Sequence, residues 1–251
     1  MKTPSRGPSL HGSQILALAL LLASSVGCRS TGPPTASADA SARFRAAVED
    51  ARVATEREVF RGLKPVLPDE KGLLWNGRPG ESSVLVVTWT QWGGYDAFVG
   101  REMPVTRPVW VTLAPELREL CRHYHPRRSR DLTRRLEQWL GLPPGNGKTR
   151  FVELWVAADD LLRPCPDPEI TDRECSLDFP PASAAPEGYR RWFEEQKAGS
   201  YGEDGYPWTR LGYTYDWGSA TTVVGASEYL IWPQASVRVH SVSKLRAFCR
   251  R

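Results

Sequence analysis

The hydrophobic pattern of the chain is dominated by short apolar runs rich in β-branched residues. Residues 83–90 (SVLVVTWT) form the clearest run and are apolar nearly throughout, which is typical of a strand covered on both faces. Residues 109–112, 151–156, 222–231 and 236–242 are further runs of the same kind. The pattern therefore predicts a sheet with residues 83–90 as a central strand.

Helical periodicity marks the segments between these runs. A first helix, capped by Asp39 or Ser41, is expected to continue to about residue 63. Strands and helices then follow one another without a strict βαβ rhythm and without an internal repeat. We therefore expect an α+β fold, a single domain whose mostly antiparallel sheet is packed by several helices. Three further helices are predicted to begin near Pro115, Ser129 and Pro186, and one terminal turn near residue 245.

The first 28 residues have the pattern of an export signal. Basic residues precede the apolar run 15–23, which is too short for a stable membrane span, and small residues lead to Cys28. This arrangement resembles the lipobox of bacterial lipoproteins, with Ser25 standing where that motif usually has leucine. The resemblance implies that residues 1–27 are removed and that Cys28 carries lipid. An ordinary signal peptide, with Cys28 as a structural thiol, is the alternative.

The residues after Cys28 divide into a tether and a domain. Residues 28–42 are rich in Ser, Thr, Ala, Pro and Gly, which is typical of a flexible tether. Residues 43–251 are expected to form the single domain. A lipid on Cys28 would attach this domain to a membrane, so we expect a location in the cell envelope, on the periplasmic or surface face of the outer membrane.

The overall charge argues against a nucleic-acid partner. The chain has 33 basic and 29 acidic residues and a net charge of +4, which is too close to balance for a phosphate-binding surface. Residues 145–149 (GNGKT) resemble the end of a phosphate-binding loop, but Leu142 stands where that motif needs glycine. We interpret them as a turn between a helix and a strand, and we expect no cofactor.

The cysteines favour disulfides. With Cys28 assigned to the anchor, four remain, and an even number in an oxidising compartment indicates two bonds. The short, turn-rich segment between Cys165 and Cys175 favours that pair, which leaves Cys121 for Cys249. Other connectivities are open. A metal site is the competing interpretation, but the spacing is unlike that of zinc-binding cysteines, and we expect no metal site.

The segment 206–228 is the strongest candidate for a functional site. Its aromatic and charged residues follow Gly205 and Pro207 in a predicted loop, and Glu228 lies on the next strand, within reach if the two segments pair as a hairpin. Burial would raise the pKa of Glu228 and a partner such as Arg210 would lower it, so an acid catalyst and a structural ion pair both fit. The residues expected to border one pocket are Trp208, Arg210, Tyr213, Asp216 and Glu228.

The block 224–239 is similar to the last conserved block of mono-ADP-ribosyltransferases. The resemblance would make Glu228 the catalytic glutamate. In that family Glu or Gln lies two places earlier, where this chain has Ala226. An envelope protein would also lack the nicotinamide cofactor of that family.

Two classes of function fit these observations. The first is a lipid-anchored binding or interaction domain whose aromatic groove takes a glycan, a peptidoglycan fragment or a protein partner. The 10 Trp residues, all beyond residue 74, supply large contact faces for such a groove. The second is an envelope hydrolase or transferase that uses Glu228 or Asp216 as acid or base, with Arg210 holding an anionic group. No complete catalytic motif supports the second class.

Overall fold

The computed structural model describes residues 36–124, 129–181 and 185–250. Within these residues, eight strands form one antiparallel sheet. The export signal, Cys28 and the first part of the tether lie outside the described residues. None of the helices in the described ranges combines the length and the hydrophobicity that a membrane span needs. The strands are β1 (Ser83–Thr90), β2 (Glu102–Pro104), β3 (Val109–Leu113), β4 (Arg150–Ala157), β5 (Leu161–Leu162), β6 (Tyr213–Tyr215), β7 (Val224–Ile231) and β8 (Ser236–Ser243).

The strand predicted to be central is central. The spatial order is β2-β8-β4-β1-β3-β7-β5, and the short β6 pairs with β7. β1 pairs with β4 along its whole length, from Ser83 opposite Ala157 to Thr90 opposite Arg150. Alternate β1 side chains enter the hydrophobic clusters on the two faces of the sheet, which explains why this run is apolar nearly throughout.

Helices cover one face of this sheet. They are α2 (Ala114–His123), α3 (Ser129–Trp139), α4 (Tyr189–Ser200) and α5 (Leu245–Phe248), whereas α1 (Ala36–Asp50) packs in a separate cluster with Tyr201 and Trp217. Leu117 of α2, Leu136 of α3 and Phe248 of α5 pack on β1 and β4 in one cluster. Phe193 of α4 packs on Leu230 of β7 in a second cluster. The α+β fold of a single domain therefore agrees with the expectation from sequence.

The first helix is displaced from its predicted position. It begins at Ala36, inside the segment interpreted as a tether, because Ala40 and Phe44 are buried against the domain. It ends at Asp50 rather than near residue 63. Thr55 starts a separate short turn, where its N–H donates to the Glu58 carboxylate at 2.7 Å, and this turn redirects the chain.

Two disulfides fix loops to the core. Cys121 on α2 is bonded to Cys249 after α5, and Cys165 is bonded to Cys175 across a separation of 10 residues. These are the two pairs that the sequence favoured. The second pair closes a loop against α4, since the Tyr189 hydroxyl oxygen lies 2.8 Å from the Cys165 carbonyl oxygen.

Replacing Cys121 and Cys249 together by Ala is expected to lower the free energy of unfolding by about 2 to 4 kcal/mol, because the bond constrains a long segment of the unfolded chain. Urea denaturation of the oxidised protein measures the change. The matched Cys165→Ala, Cys175→Ala variant opens a much shorter loop and is expected to lose less. Non-reducing peptide mapping that finds all four thiols free would contradict the pairing.

Candidate functional site

The strands β1 and β3 pair only briefly and then separate. Their pairing stops at Val87 opposite Thr112. Beyond this point β1 remains paired with β4 as far as Thr90, and β3 is paired with β7 from Val109 onward. Each strand is therefore hydrogen-bonded to the neighbour that lies away from the fork. The sheet is forked between residues 88–90 and residues 109–111.

A cavity of about 610 Å³ occupies this fork, and we call it the fork cavity. Residues 88–90 and 109–111 all line it. Tyr95 and Met103 line it from the face without helices, and Leu117 and Leu140 line it from the helical face. The fork cavity therefore passes between the strands from one face of the sheet toward the other.

A second cavity, of about 320 Å³, adjoins the first on the helical face, and we call it the side cavity. Gln196 and Ser200 of α4 and residues 206–208 form its outer wall. The two cavities share lining residues, so we treat them as one cleft. The shared residues are Trp110, Leu140, Leu142, Lys148, Thr214 and Glu228.

Half-exposed aromatic residues lie along this cleft. Trp92 lines the fork cavity and is 48% exposed, and Tyr206 lines the side cavity and is 46% exposed. Between them, the Trp110 ring lies 5.8 Å from the Trp208 ring in an edge-to-face arrangement. The cleft therefore offers aromatic faces from its interior to its solvent-exposed parts.

The hairpin on which the candidate site depended is present. Tyr213 of β6 is opposite Ser227 of β7, and the Glu228 N–H donates to the Gly212 carbonyl at 2.9 Å. This pairing places Glu228 on the helical face, where Leu230 also points. Trp208 and Glu228 consequently line the same side cavity.

Arg210 does not reach that cavity. It has a positive φ of 60°, and its guanidinium donates to the carbonyls of Ala51 and Arg52 at 3.2 and 3.1 Å. The guanidinium carbon also lies 5.3 Å from the centroid of the Tyr201 ring. The expected pairing of Arg210 with Glu228 is therefore wrong, because Arg210 instead binds the chain just after α1.

Tyr213 and Asp216 are also used elsewhere. The Tyr213 hydroxyl donates to the Glu58 carbonyl at 2.9 Å. Asp216 accepts two hydrogen bonds from the Arg135 guanidinium, at 2.7 and 2.6 Å, and joins α3 to the end of β6. Of the five residues expected to border one pocket, only Trp208 and Glu228 do so, because the other three are held by structural hydrogen bonds.

Glu228 is the notable chemical group of the cleft. Within the part of the chain that the structure describes, its carboxylate has no hydrogen bond and no ion pair. Desolvation by the surrounding protein atoms raises the pKa of Glu228 to about 8, since no cation compensates. At neutral pH the side chain is mostly protonated and can both donate and accept a hydrogen bond.

Lys148 is a second polar group that both cavities share. It lies in the turn between α3 and β4, which Glu137 holds by accepting hydrogen bonds from the N–H groups of Gly145 and Asn146 at 2.8 and 3.3 Å. Burial lowers the pKa of Lys148. Its ammonium group makes no ion pair with Glu228, so both remain available to a ligand.

The sequence reasoning missed the fork and its two tryptophans, Trp89 and Trp110. It interpreted residues 145–149 only as a turn and did not single out Lys148. One signal was present, since Pro108 lacks an N–H and indicates a strand edge two residues before Trp110. That signal could have placed an opening beside β3.

No family model, curated protein or solved structure matches the chain. Within the described residues, no group of three or more His, Cys, Asp or Glu side chains is placed to hold a metal ion. The function is therefore argued from the chemistry of the cleft.

Replacing Glu228 by Gln is expected to stabilise the protein at pH 9 by on the order of 3 kcal/mol. The folded wild type keeps a proton on Glu228 that the unfolded chain releases above the ordinary pKa of 4.5, so its stability falls as the pH rises from 4.5 toward about 8. The advantage of the variant should vanish near pH 4. Urea denaturation across this pH range measures it.

The matched control is Glu194→Gln, because Glu194 is exposed on α4. This variant should follow the pH profile of the wild type. A stability difference for Glu228→Gln that does not change with pH would contradict the raised pKa.

Proposed function

We propose that this protein is a lipid-anchored binding protein of the bacterial cell envelope and that its cleft binds a glycan. The observation that carries the proposal is the cleft itself, in which aromatic side chains surround one carboxyl group that has no protein partner. Such a combination of apolar walls and a few free polar groups is typical of ligand sites.

The aromatic walls suit the apolar faces of sugar rings. Trp110 and Trp208 lie deep in the cleft, and Trp192 of α4 packs behind them, with ring centroids 6.0 Å from each. This packing holds the two cleft indoles in fixed positions, so little conformational entropy is lost when a ligand packs on them. The half-exposed Trp92 and Tyr206 would extend the contact along an oligomer.

The polar groups suit the hydroxyls of a sugar. A protonated Glu228 can donate to one hydroxyl and accept from another, and Lys148 can donate to a third. Hydrogen bonds of this kind gain strength where water is excluded. A neutral, many-hydroxyl ligand therefore satisfies the polar groups of the cleft and also covers its aromatic surface.

A second candidate function, an envelope hydrolase or transferase, is favoured by the raised pKa of Glu228, which suits a general acid. The other residues proposed for the enzyme, Arg210 and Asp216, form hydrogen bonds outside the cleft and are not available for catalysis. Among the described lining residues, Glu228 is the only carboxylate, whereas glycoside hydrolysis commonly uses two. Binding is therefore the better-supported function.

Replacing Trp110 by Ala is expected to weaken glycan binding at least tenfold, the usual effect of truncating a central aromatic contact of about 1.4 kcal/mol or more. Calorimetric titration of the full-length protein with soluble peptidoglycan fragments and β-1,4-linked glucan and chitin oligomers measures this. Trp155→Ala is the matched control, because Trp155 lies on the helical face beside His240 and lines neither cavity.

Failure of every oligomer to bind the wild type would contradict glycan binding. Oligomers that are recovered intact after long incubation support a binding protein. Cleavage that Glu228→Gln abolishes would instead favour the enzyme.

Replacing Cys28 by Ala is expected to release the protein from the membrane fraction, because the proposed lipid is attached to that thiol. Fractionation and incorporation of a labelled fatty acid measure the effect. Ser25→Leu is the matched control, since it brings the segment closer to the lipobox and should leave the protein in the membrane. Retention of the Cys28→Ala protein, with no label on the wild type, would contradict lipidation.

A further inference from the structure

The hydrogen bonds around the fork identify which backbone groups of β1 face it. The Thr90 carbonyl accepts from the Thr149 N–H at 3.1 Å, on the side of β4. The backbone groups of successive residues in an antiparallel strand point to opposite sides. Trp89 therefore directs its N–H and C=O away from β4 and into the fork. The Leu85 N–H, which donates to the Leu74 carbonyl at 2.9 Å, obeys the same alternation.

The same reasoning applies to β3. The Glu228 N–H donates to the Gly212 carbonyl, on the β6 side of β7. Because backbone groups alternate in direction along a strand, those of Tyr229 point to the other side, toward β3. The β3 residue opposite Tyr229 is Val111. Val111 is thus turned toward β7. Trp110, one residue earlier, directs its N–H and C=O into the fork.

Trp89 and Trp110 would be partners in a continuous sheet. The register that places Val87 opposite Thr112 would place Trp89 opposite Trp110 two residues further, as the next hydrogen-bonded pair. That pair is not formed. Among the strand pairs of the described residues, none joins Trp89 to Trp110, and both residues line the fork cavity.

Backbone groups that face the fork without a strand partner across it can bind a ligand there. Trp89 is only 8% exposed, and nearly all buried backbone groups in proteins are hydrogen-bonded. Each side of the fork offers one donor and one acceptor. A secondary amide offers the complementary acceptor and donor in a single planar group.

The fork suits one amide rather than a continuous peptide strand. A strand would need a row of donors and acceptors along each edge. On β3 the next residue to face the fork is Pro108, which has no N–H. The β3 edge therefore provides a single donor at Trp110.

We propose that the fork binds the acetamido group of an N-acetylated amino sugar in the glycan. The carbonyl of that group accepts from the N–H of Trp89 or Trp110, its N–H donates to a carbonyl across the fork, and its methyl group packs among the apolar walls. This inference rests on the proposed glycan binding and adds the substituent that the glycan must carry.

Three tetrasaccharides of the same β-1,4 linkage test this proposal on the full-length protein: N-acetylglucosamine, glucosamine and glucose. The N-acetylated tetramer is expected to bind at least about tenfold more tightly than either of the others, which lack the amide. Calorimetry gives the affinities.

Backbone amide exchange locates the contact. In protein labelled with ¹⁵N at tryptophan, the N-acetylated tetramer is expected to slow hydrogen exchange at Trp89 and Trp110 and to leave Trp155, which is paired on both sides within the sheet, unchanged. Single Trp→Phe variants at these positions assign the signals, and they leave the backbone groups in place.

The possible outcomes separate this inference from the proposed function. Equal affinity for the glucose tetramer, or no slowing at Trp89 and Trp110, overturns acetamido recognition and leaves glycan binding in place. Failure of all three tetramers overturns both. Slowing at both amides by trialanine, with none caused by the N-acetylated tetramer, would assign the fork to a peptide and likewise overturn the proposal.

Discussion

The structure depends on the separation of two tryptophans that a regular sheet would have paired. Trp89 stacks on Phe151 at 5.0 Å in the cluster under α2, α3 and α5. Trp110 packs against Trp192 and Trp208 in the cluster under α4. Each indole is large and well packed in its own cluster, so the two strands diverge where the clusters divide. The cleft is the space that this division leaves.

The separation has a cost that the rest of the domain offsets. Backbone groups at Trp89 and Trp110 lose their sheet partners, and the carboxyl group of Glu228 is partly desolvated without an ion pair. Each of these features lowers stability, and functional sites are where folded proteins tolerate such costs. Aromatic packing on both sides of the fork supplies the compensating stability.

The walls of the cleft are fixed by strong polar contacts outside it. Arg135 and Asp216 join α3 to the end of β6, and the Tyr189 hydroxyl donates to the Arg163 carbonyl at 2.6 Å and so joins α4 to the disulfide loop. The first of these contacts uses Asp216, which the sequence suggested for a site. Their effect on the site is indirect, since they hold the residues that line the cleft in place before a ligand arrives.

Local pattern determined much of the fold. The apolar run at residues 83–90 defined the central strand, and the short, turn-rich segment between Cys165 and Cys175 favoured their bond. Each of these inferences depends on neighbours in sequence or on the two-residue period of a strand, which a sequence displays directly.

The composition of the site was decided by contacts between distant segments. Asp216 meets Arg135 across 81 residues, and Arg210 meets Ala51 across 159 residues, so neither partner could be identified from local spacing. The fork likewise arises because Trp89 and Trp110 belong to different helix-covered clusters, a division that exists only after the helices have packed. By itself, the sequence determined through strand alternation that Glu228 and Leu230 share one face of β7. Tertiary packing decided that the carboxyl group on this face lies beside a cavity and has no cation as a partner.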